Sequence, residues 1–308
     1  MALSHDTQVK TIHTIDLHFM GLRQAIAVYV IPHARGAILV ECGPGSTIPA
    51  LQAGLKAHGL SIKDISDVFL THIHLDHAGA AGWLAQQGAR IHVHPVGAPH
   101  LLNPEKLLAS AARIYGDLMQ TLWGEFLPVP EEQLSVLQDG DVVEVSGLSL
   151  RALDTPGHAN HHFVYLFEEV CFSGDIGAVR IGGARHLRLP MPPPEFNLEK
   201  WRQSLARLRS EKFSRIAPTH FGLYADPDWH LAAVEEALDE VEAWMEAVMP
   251  QGLPVELLND RFLEWTRNRS LSAGLPPDLL GIYEAANPSW MSTQGILRYW
   301  EKTRQSEK

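Results

Sequence analysis

His72-Ile73-His74-Leu75-Asp76-His77 places four potential metal-binding side chains within six residues. The stretch directly follows Asp67-Val68-Phe69-Leu70-Thr71, an apolar run that reads as a short buried strand. The four side chains therefore sit on a tight loop at a strand's C-terminal end. His72 and His74 alternate and can aim their imidazoles the same way, while Asp76 and His77 turn towards a neighbouring position. One loop can thus serve two adjacent metal ions. The chain holds 17 histidines among 308 residues, so an isolated histidine says little and the spacing carries the signal. A structural zinc site would more naturally use paired cysteine thiolates. Here the two cysteines, Cys42 and Cys171, lie far apart, each in an apolar run.

Three downstream segments repeat one design. Asp154-Thr155-Pro156-Gly157-His158 follows the strand-like Leu148–Leu153. Val170-Cys171-Phe172-Ser173-Gly174-Asp175 ends in an acid, and Arg215-Ile216-Ala217-Pro218-Thr219-His220 ends in a histidine. In each, a short β-like run meets a turn of small residues, Pro or Gly, and then presents a ligand.

With these motifs in this order, the chain resembles the metallo-β-lactamase superfamily over roughly residues 10–225. The resemblance implies that His72, His74 and His158 bind one metal, that Asp76, His77 and His220 bind a second, and that Asp175 bridges them. The full set is similar to the binuclear hydrolase branch, which includes glyoxalase II, acyl-homoserine lactonases and related nucleases. True β-lactamases of the superfamily typically lack the bridging aspartate, so Asp175 argues against that activity. The flavodiiron branch carries an acid at the position of His74.

The chain also departs from the pattern. An aspartate usually ends an early strand, whereas this sequence reads Val40-Glu41-Cys42-Gly43-Pro44-Gly45. Glu41 is expected to hydrogen-bond the ligand loop from one methylene further away. The tyrosine that lactonases place three residues after the bridging aspartate is Ala178 here, leaving Tyr224 or His162 as substitutes.

The implied chemistry follows from the ligand types. Two divalent ions hold a bridging hydroxide and polarise a carbonyl or phosphoryl oxygen. Imidazole and carboxylate suit zinc and also tolerate iron or manganese. The expected reaction is hydrolysis of an ester, thioester or lactone of a small substrate, with Asp76 serving as both ligand and proton carrier. Thr71, Asp154 and Thr155 are expected to fix histidine tautomers. The alternatives are a phosphodiesterase or nuclease built on the same two metals, and a metal-binding protein without turnover.

Charge helps choose between them. Lys and Arg number 25 against 36 Asp and Glu, and the net charge of −11 opposes non-specific attraction to nucleic acid. The longest basic cluster, in Trp201–Lys212, reads as a solvated helix face.

Strand-like runs occur at Lys10–Leu17, Ala25–Ile31, Ala37–Glu41, Val68–Thr71 and Arg90–His94, then at Val142–Val145, Leu148–Leu153, Phe163–Phe167, Val170–Phe172 and Arg215–Ala217. Helical runs at Ile48–His58, Ala78–Gln87 and Leu198–Arg209 alternate with some of them, which predicts a layered α/β architecture. The resemblance sharpens this to a four-layer αβ/βα sandwich.

Two insertions are expected to shape the pocket. Val96–Pro130 is mostly helical from Pro104 to Phe126 and brings Tyr115 and Trp123; Ile176–Glu195 brings Arg180, which would meet an anionic substrate group. Residues 226–308 read as an all-helical extension to a catalytic domain at 1–225, and a homodimer surface is one use for it. Met1–Lys10 lacks the basic start and apolar run of a secretory signal, no run is long enough for a membrane span, and a cytoplasmic setting is expected.

Overall fold

Runs rich in β-branched and aromatic residues close into two sheets in the computed structural model, which describes residues 11–304. Met1–Lys10, including the first residue of the strand expected at Lys10–Leu17, lie outside the described residues. The first sheet orders β1 (His13–Asp16), β2 (Ala27–His33), β3 (Gly36–Val40), β4 (Ile65–Phe69), β5 (Arg90–Val93) and β6 (Leu134–Val136) side by side. The second comprises β7 (Val142–Val145), β8 (Leu148–Asp154), β9 (Phe163–Phe167), β10 (Val170–Phe172) and β11 (Arg215–Ala217), in the spatial order β11-β10-β9-β8-β7.

Side-chain alternation explains why the strands read as unbroken apolar runs. In β2, Ala27, Tyr29 and Ile31 enter the core between the sheets, while Val28 and Val30 enter the outer one. In β9, Phe163, Tyr165 and Phe167 point inward, and Val164 and Leu166 point outward. Both faces are buried, so no polar residue marks the period of two.

The first sheet's outer face is covered by α1 (Ile48–Ala57), α2 (Leu75–Ala78), α3 (Ala81–Gln86), α4 (Ala98–Leu102), α5 (Glu105–Tyr115) and α6 (Met119–Trp123). The second sheet is covered by α7 (Leu198–Arg209), α8 (Pro227–Val248), α9 (Val255–Ser272) and α11 (Ser289–Thr303). Between these last two, α10 (Leu280–Ala286) packs through Tyr283 on Val179 and Ile181. The result is a four-layer αβ/βα sandwich followed by an all-helical C-terminal region.

Two helical runs are shorter than their composition suggests. The run at 78–87 breaks at Gly79-Ala80 into α2 and α3. The insertion breaks at Gly116 and ends at Gly124, both at positive φ (51° and 65°). A Cβ on Gly124 would lie 2.5 Å from the Ser46 nitrogen, so only glycine lets the insertion close onto the loop after β3. Strand β6 escaped the sequence reading. Among the described residues, no helix is long and apolar enough to cross a membrane.

Strand direction positions the site. β3, β4, β5 and β6 run parallel. β8 and β10 both run antiparallel to β9, hence codirectionally, and β11 is parallel to β10. The segments leaving β4, β8, β10 and β11 therefore emerge on one edge, where ligands of α/β sheets characteristically bind. Cross-sheet bonds lock that edge: Phe163 N–H donates to Thr71 O at 2.6 Å, and the Tyr165 hydroxyl to Leu70 O at 3.0 Å.

His230 at the start of α8 gives a test of the packing. Its Nε2–H donates to Gly177 O at 2.6 Å, and burial pushes its pKa down to about 4. The unfolded imidazole takes up a proton near pH 6.5 and the folded one resists until about pH 4. This stability is complete above pH 6.5 and drains away as pH falls towards 4. Between pH 7 and 5, chelator-treated wild type should lose about 2 kcal/mol more than His230→Gln. Urea midpoints at the two pH values measure this, and parallel losses in both proteins would contradict it.

Candidate metal centre

His72 leaves β4 after Thr71, and its Nδ1 lies 3.0 Å from Thr71 Oγ1. That hydroxyl spends its proton on the Glu41 carboxylate. His72 Nδ1 must therefore be the donor, which leaves Nε2 bare. His158 follows the same logic. Its Nδ1–H donates to Pro190 O at 2.8 Å, so its Nε2 is bare as well. These two bare nitrogens face each other at 3.2 Å, and His74 Nδ1 lies 2.9 Å from each. Lone pairs so placed repel unless a cation lies among them.

A second group sits beside the first. His77 donates from Nδ1 to Glu41 Oε1 at 2.9 Å, and His220 from Nδ1 to Ala25 O at 2.7 Å. Their Nε2 atoms approach Asp76 Oδ2 at 3.5 and 3.4 Å. Asp175 stands between the groups. Its Oδ2 lies 3.4 Å from His158 Nε2, while its Oδ1 lies 3.5 Å from His77 Nε2 and 3.6 Å from His220 Nε2.

Electrostatics separate the two groups. Burial, reinforced by neighbouring imidazoles, holds His72, His74 and His158 well below the ordinary histidine pKa, so all three are neutral nitrogen donors. Burial also pulls His77 down, but Asp76, Asp175 and Glu41 together outweigh it and raise the group. Burial likewise pushes Asp76 up, and His77 and His220 more than reverse that, keeping it ionised. Asp175 is raised by burial.

The donor set fits a pair of divalent cations. His77 Nε2 and Asp175 Oδ1 are buried and have no hydrogen-bond partner. Such orphaned groups cost about 1–3 kcal/mol each. A cation in contact with both removes the cost, and neutral imidazole with carboxylate is the chemistry borderline metals take. Glu41, His72 and His77 also converge within 4.8 Å. That trio is a hydrogen-bond hub, because the Glu41 oxygens already accept from Thr71 N–H, the Thr71 and Thr219 hydroxyls and His77.

A family model described as the metallo-beta-lactamase superfamily matches residues 22–220. The chain belongs to that superfamily. The Rhodopseudomonas palustris hydroxyacylglutathione hydrolase is 30% identical over 228 residues, 72% of this chain and 68% of that one. An Aspergillus fumigatus atrochrysone carboxyl ACP thioesterase is 33% identical over 156 residues, 49% of this chain. The match spans only 40% of that fungal protein's length. The crystal structure of a metallo-beta-lactamase family protein from Thermus thermophilus superposes with a TM-score of 0.62 at 22% identity. It covers 94% of this chain and 93% of its own, so the shared fold extends through the C-terminal helices.

For this superfamily member, the structure brings His72, His74, Asp76, His77, His158, Asp175 and His220 together at one edge. Glu41 reaches the loop after β4, accepting from Thr71 N–H, the Thr71 hydroxyl and His77 Nδ1–H. Thr71 and Thr155 also contact the site. Thr155 Oγ1 accepts from His162 Nδ1 at 2.9 Å, and His162 Nε2 accepts from Asp175 N–H at 3.1 Å, which aims the carboxylate loop.

Asp154 does not join them: its carboxylate faces His94 Nε2 at 3.3 Å, outside the cluster. Arg180 is not presented to a substrate either. It is buried, forked onto Asp226 at 2.6 and 3.0 Å, and held against the Tyr224 and Trp229 rings. Its work is local. Arg180 N–H donates to His220 O and its carbonyl accepts from Phe221 N–H, pinning the ligand loop. Tyr224 and His162 are equally committed, Tyr224 through its hydroxyl to Arg180 O and Phe221 O.

Tyr115 and Trp123 pack at 5.0 Å, with Phe19 beyond Trp123 and Trp290 of α11 6.1 Å from Tyr115. Burial and then the negative Asp76 raise the Tyr115 hydroxyl, so this wall lies within the field of the site. The carbonyls of Pro190 and Ala25, which orient His158 and His220, carry no sequence signal at all.

Glu41→Gln keeps the shape of the hub and removes its charge. Partners that orient metal-bound histidines are worth about 10–100-fold in metal affinity. Competition against a chromophoric chelator should show a loss in that range. Undiminished affinity would remove Glu41 from the orienting role.

Proposed function

We propose that this chain is a metal-dependent hydrolase acting on the carbonyl of a small ester, thioester or lactone, with a thioester favoured. The observation that carries this reading is Asp175, one oxygen turned to each half of the cluster. His72, His74 and His158 would hold one divalent ion, Asp76, His77 and His220 the other, and Asp175 both. Zinc suits the donors best, with iron and manganese tolerated. Ions held there would polarise the carbonyl oxygen and bring the pKa of bound water towards neutrality.

The protein's own groups supply the rest. Asp76 is ionised and partly open to solvent, so it can take a proton and deliver it to the leaving group. His72, His77, His158 and His220 cannot rotate, because each Nδ1–H is bonded behind the ring. The wall of Tyr115, Trp123 and Trp290 offers the acyl group an apolar surface. The hydrolase and thioesterase named above both act on thioesters by name, which supports that class.

A phosphodiesterase is less well supported. In the basic cluster of α7, Arg202 pairs with Asp239 and Glu242, Arg207 with Asp139 and Arg209 with Glu235, so little positive charge is left for a polyanion.

Purified protein should carry about two metal ions per chain and turn over acyl thioesters in a panel that also holds lactones, phosphodiesters and β-lactams. Asp76→Asn should lower kcat by 10²-fold or more, as loss of a proton-transfer group does. His158→Ala should abolish turnover and release metal, while far-ultraviolet circular dichroism stays as in wild type. Full activity in either variant sinks the mechanism, and turnover of phosphodiesters alone sinks the substrate class.

A further inference from the structure

The chain has six tyrosines. Five of them give their hydroxyl proton to an acceptor inside the protein: Tyr29 to Pro218 O, Tyr165 to Leu70 O, Tyr224 to Arg180 O, Tyr283 to His186 O and Tyr299 to Glu199 Oε1. Tyr115 is the exception. Among the described residues its hydroxyl has no hydrogen-bond partner. Nor is it sealed off like the Trp123 Nε1–H on the neighbouring ring; Tyr115 is half-buried, and its hydroxyl stays open to a ligand.

The ring, by contrast, has little freedom. Tyr115 ends α5, where Gly116 at φ 51° turns the chain, and it meets Trp123 edge-on at 5.0 Å and Trp290 at 6.1 Å. Trp123 lies on α6, which is fastened to the loop after β3 by the Ser46 hydroxyl, donating to Leu122 O at 2.6 Å. The same loop sends Cys42 N–H and Gly43 N–H to His77 O at 3.1 and 3.2 Å, bracing the short helix that presents Asp76. One loop thus ties the Tyr115 wall to the Asp76 helix.

Asp76 is the charge that acts on this hydroxyl. Burial first and Asp76 second raise the Tyr115 pKa, which favours the protonated, hydrogen-donating form. The Asp76 carboxylate is itself engaged by His77 and His220, so it does not take the phenolic proton. The donor therefore remains free for a substrate atom. In a thioester, sulfur is a weak acceptor and the carbonyl oxygen a strong one. A donor fixed in advance helps most where negative charge develops, because it needs no reorganisation during the reaction.

We propose that Tyr115 is a catalytic donor, whose hydroxyl hydrogen-bonds the substrate's carbonyl oxygen and holds it more strongly as that oxygen becomes negative. The hydroxyl keeps its proton throughout, so proton transfer stays with Asp76. This inference rests on the hydrolase reading above and adds to it a polar contact with the substrate that Arg180 does not provide.

Tyr115→Phe keeps the ring and removes only the donor, so melting temperature and metal content should match wild type. On the best acyl substrate of the panel, kcat should fall about 10²-fold with KM little changed, because the bond is made chiefly in the transition state. A second measurement needs no turnover. Phenylacetate carries the charged oxygens of a hydrolysis product and an apolar group for the aromatic wall. Its Kd for the full-length, metal-loaded chain, measured by calorimetry, should rise about tenfold or more in Tyr115→Phe, as loss of a hydrogen bond to a charged group predicts. An unchanged kcat, an unchanged phenylacetate Kd, or no binding of phenylacetate to wild type would overturn the assignment. So would loss of metal or of melting temperature in Tyr115→Phe, which would make the residue structural. Wild type that turns over no acyl substrate overturns the function proposed above instead, and phenylacetate then decides the role of Tyr115 alone.

Discussion

A buried carboxylate is the constraint on which this site depends. Glu41 is 1% exposed, and an uncompensated charge at that depth would be prohibitive. Thr71 supplies two donors from the loop after β4, His77 one from α2, and Thr219 one from the segment after β11. These donors come from both sheets, so the carboxylate is satisfied only when the sandwich has closed. Glu41 itself sits at φ 67°, a conformation costing on the order of 1–3 kcal/mol for a non-glycine residue. Charge-assisted bonds of about 1.5–3 kcal/mol each offset that strain. Folding of the sandwich and ordering of the ligand loop are thus one event.

The same logic runs outward through the clustered histidines. Each of four histidines is held from behind by an acceptor belonging to a different part of the chain: Thr71, Glu41, Pro190 and Ala25. The C-terminal helices take part as well. Asp226, at the start of α8, grips Arg180, whose backbone brackets His220 and Phe221. His230, one turn into α8, holds Gly177 O in the loop that presents Asp175. The helical region is therefore structural support for two of the seven clustered side chains, beyond being a cover for the second sheet.

How much of this could be read from the chain depends on whether a residue's role is local. His72, His74, Asp76 and His77 share one loop, and His158, Asp175 and His220 each follow a strand, so type and spacing marked all seven as candidates. The layered α/β class was legible from alternating runs, but the two facing sheets were not. Strands buried on both faces carry no polar stripe to say which face meets which partner. Arg180 shows the opposite limit. Its place after Asp175 suggested an anion contact, whereas a tertiary partner 46 residues away claims the guanidinium. Asp154 followed a strand like the ligands do and still turned to His94. Backbone acceptors such as Pro190 O are invisible in principle, since every residue has a carbonyl.

The two halves of the cluster are chemically unequal, and that inequality has a use. Around His72, His74 and His158 the donors are neutral rings kept unprotonated by burial and mutual repulsion. Around His77 and His220 the donors share their space with Asp175 and Asp76, whose charges raise both imidazoles against the pull of burial. A cation held there would meet a neutral nitrogen-rich pocket on one side and a partly neutralised one on the other. The half with Asp76 keeps an ionised oxygen beside His77 and His220. Asp175 spans both and contributes to each through a separate oxygen. Burial sets the first half and carboxylate charge the second, so one small cluster holds neutral imidazoles and an ionised carboxylate side by side.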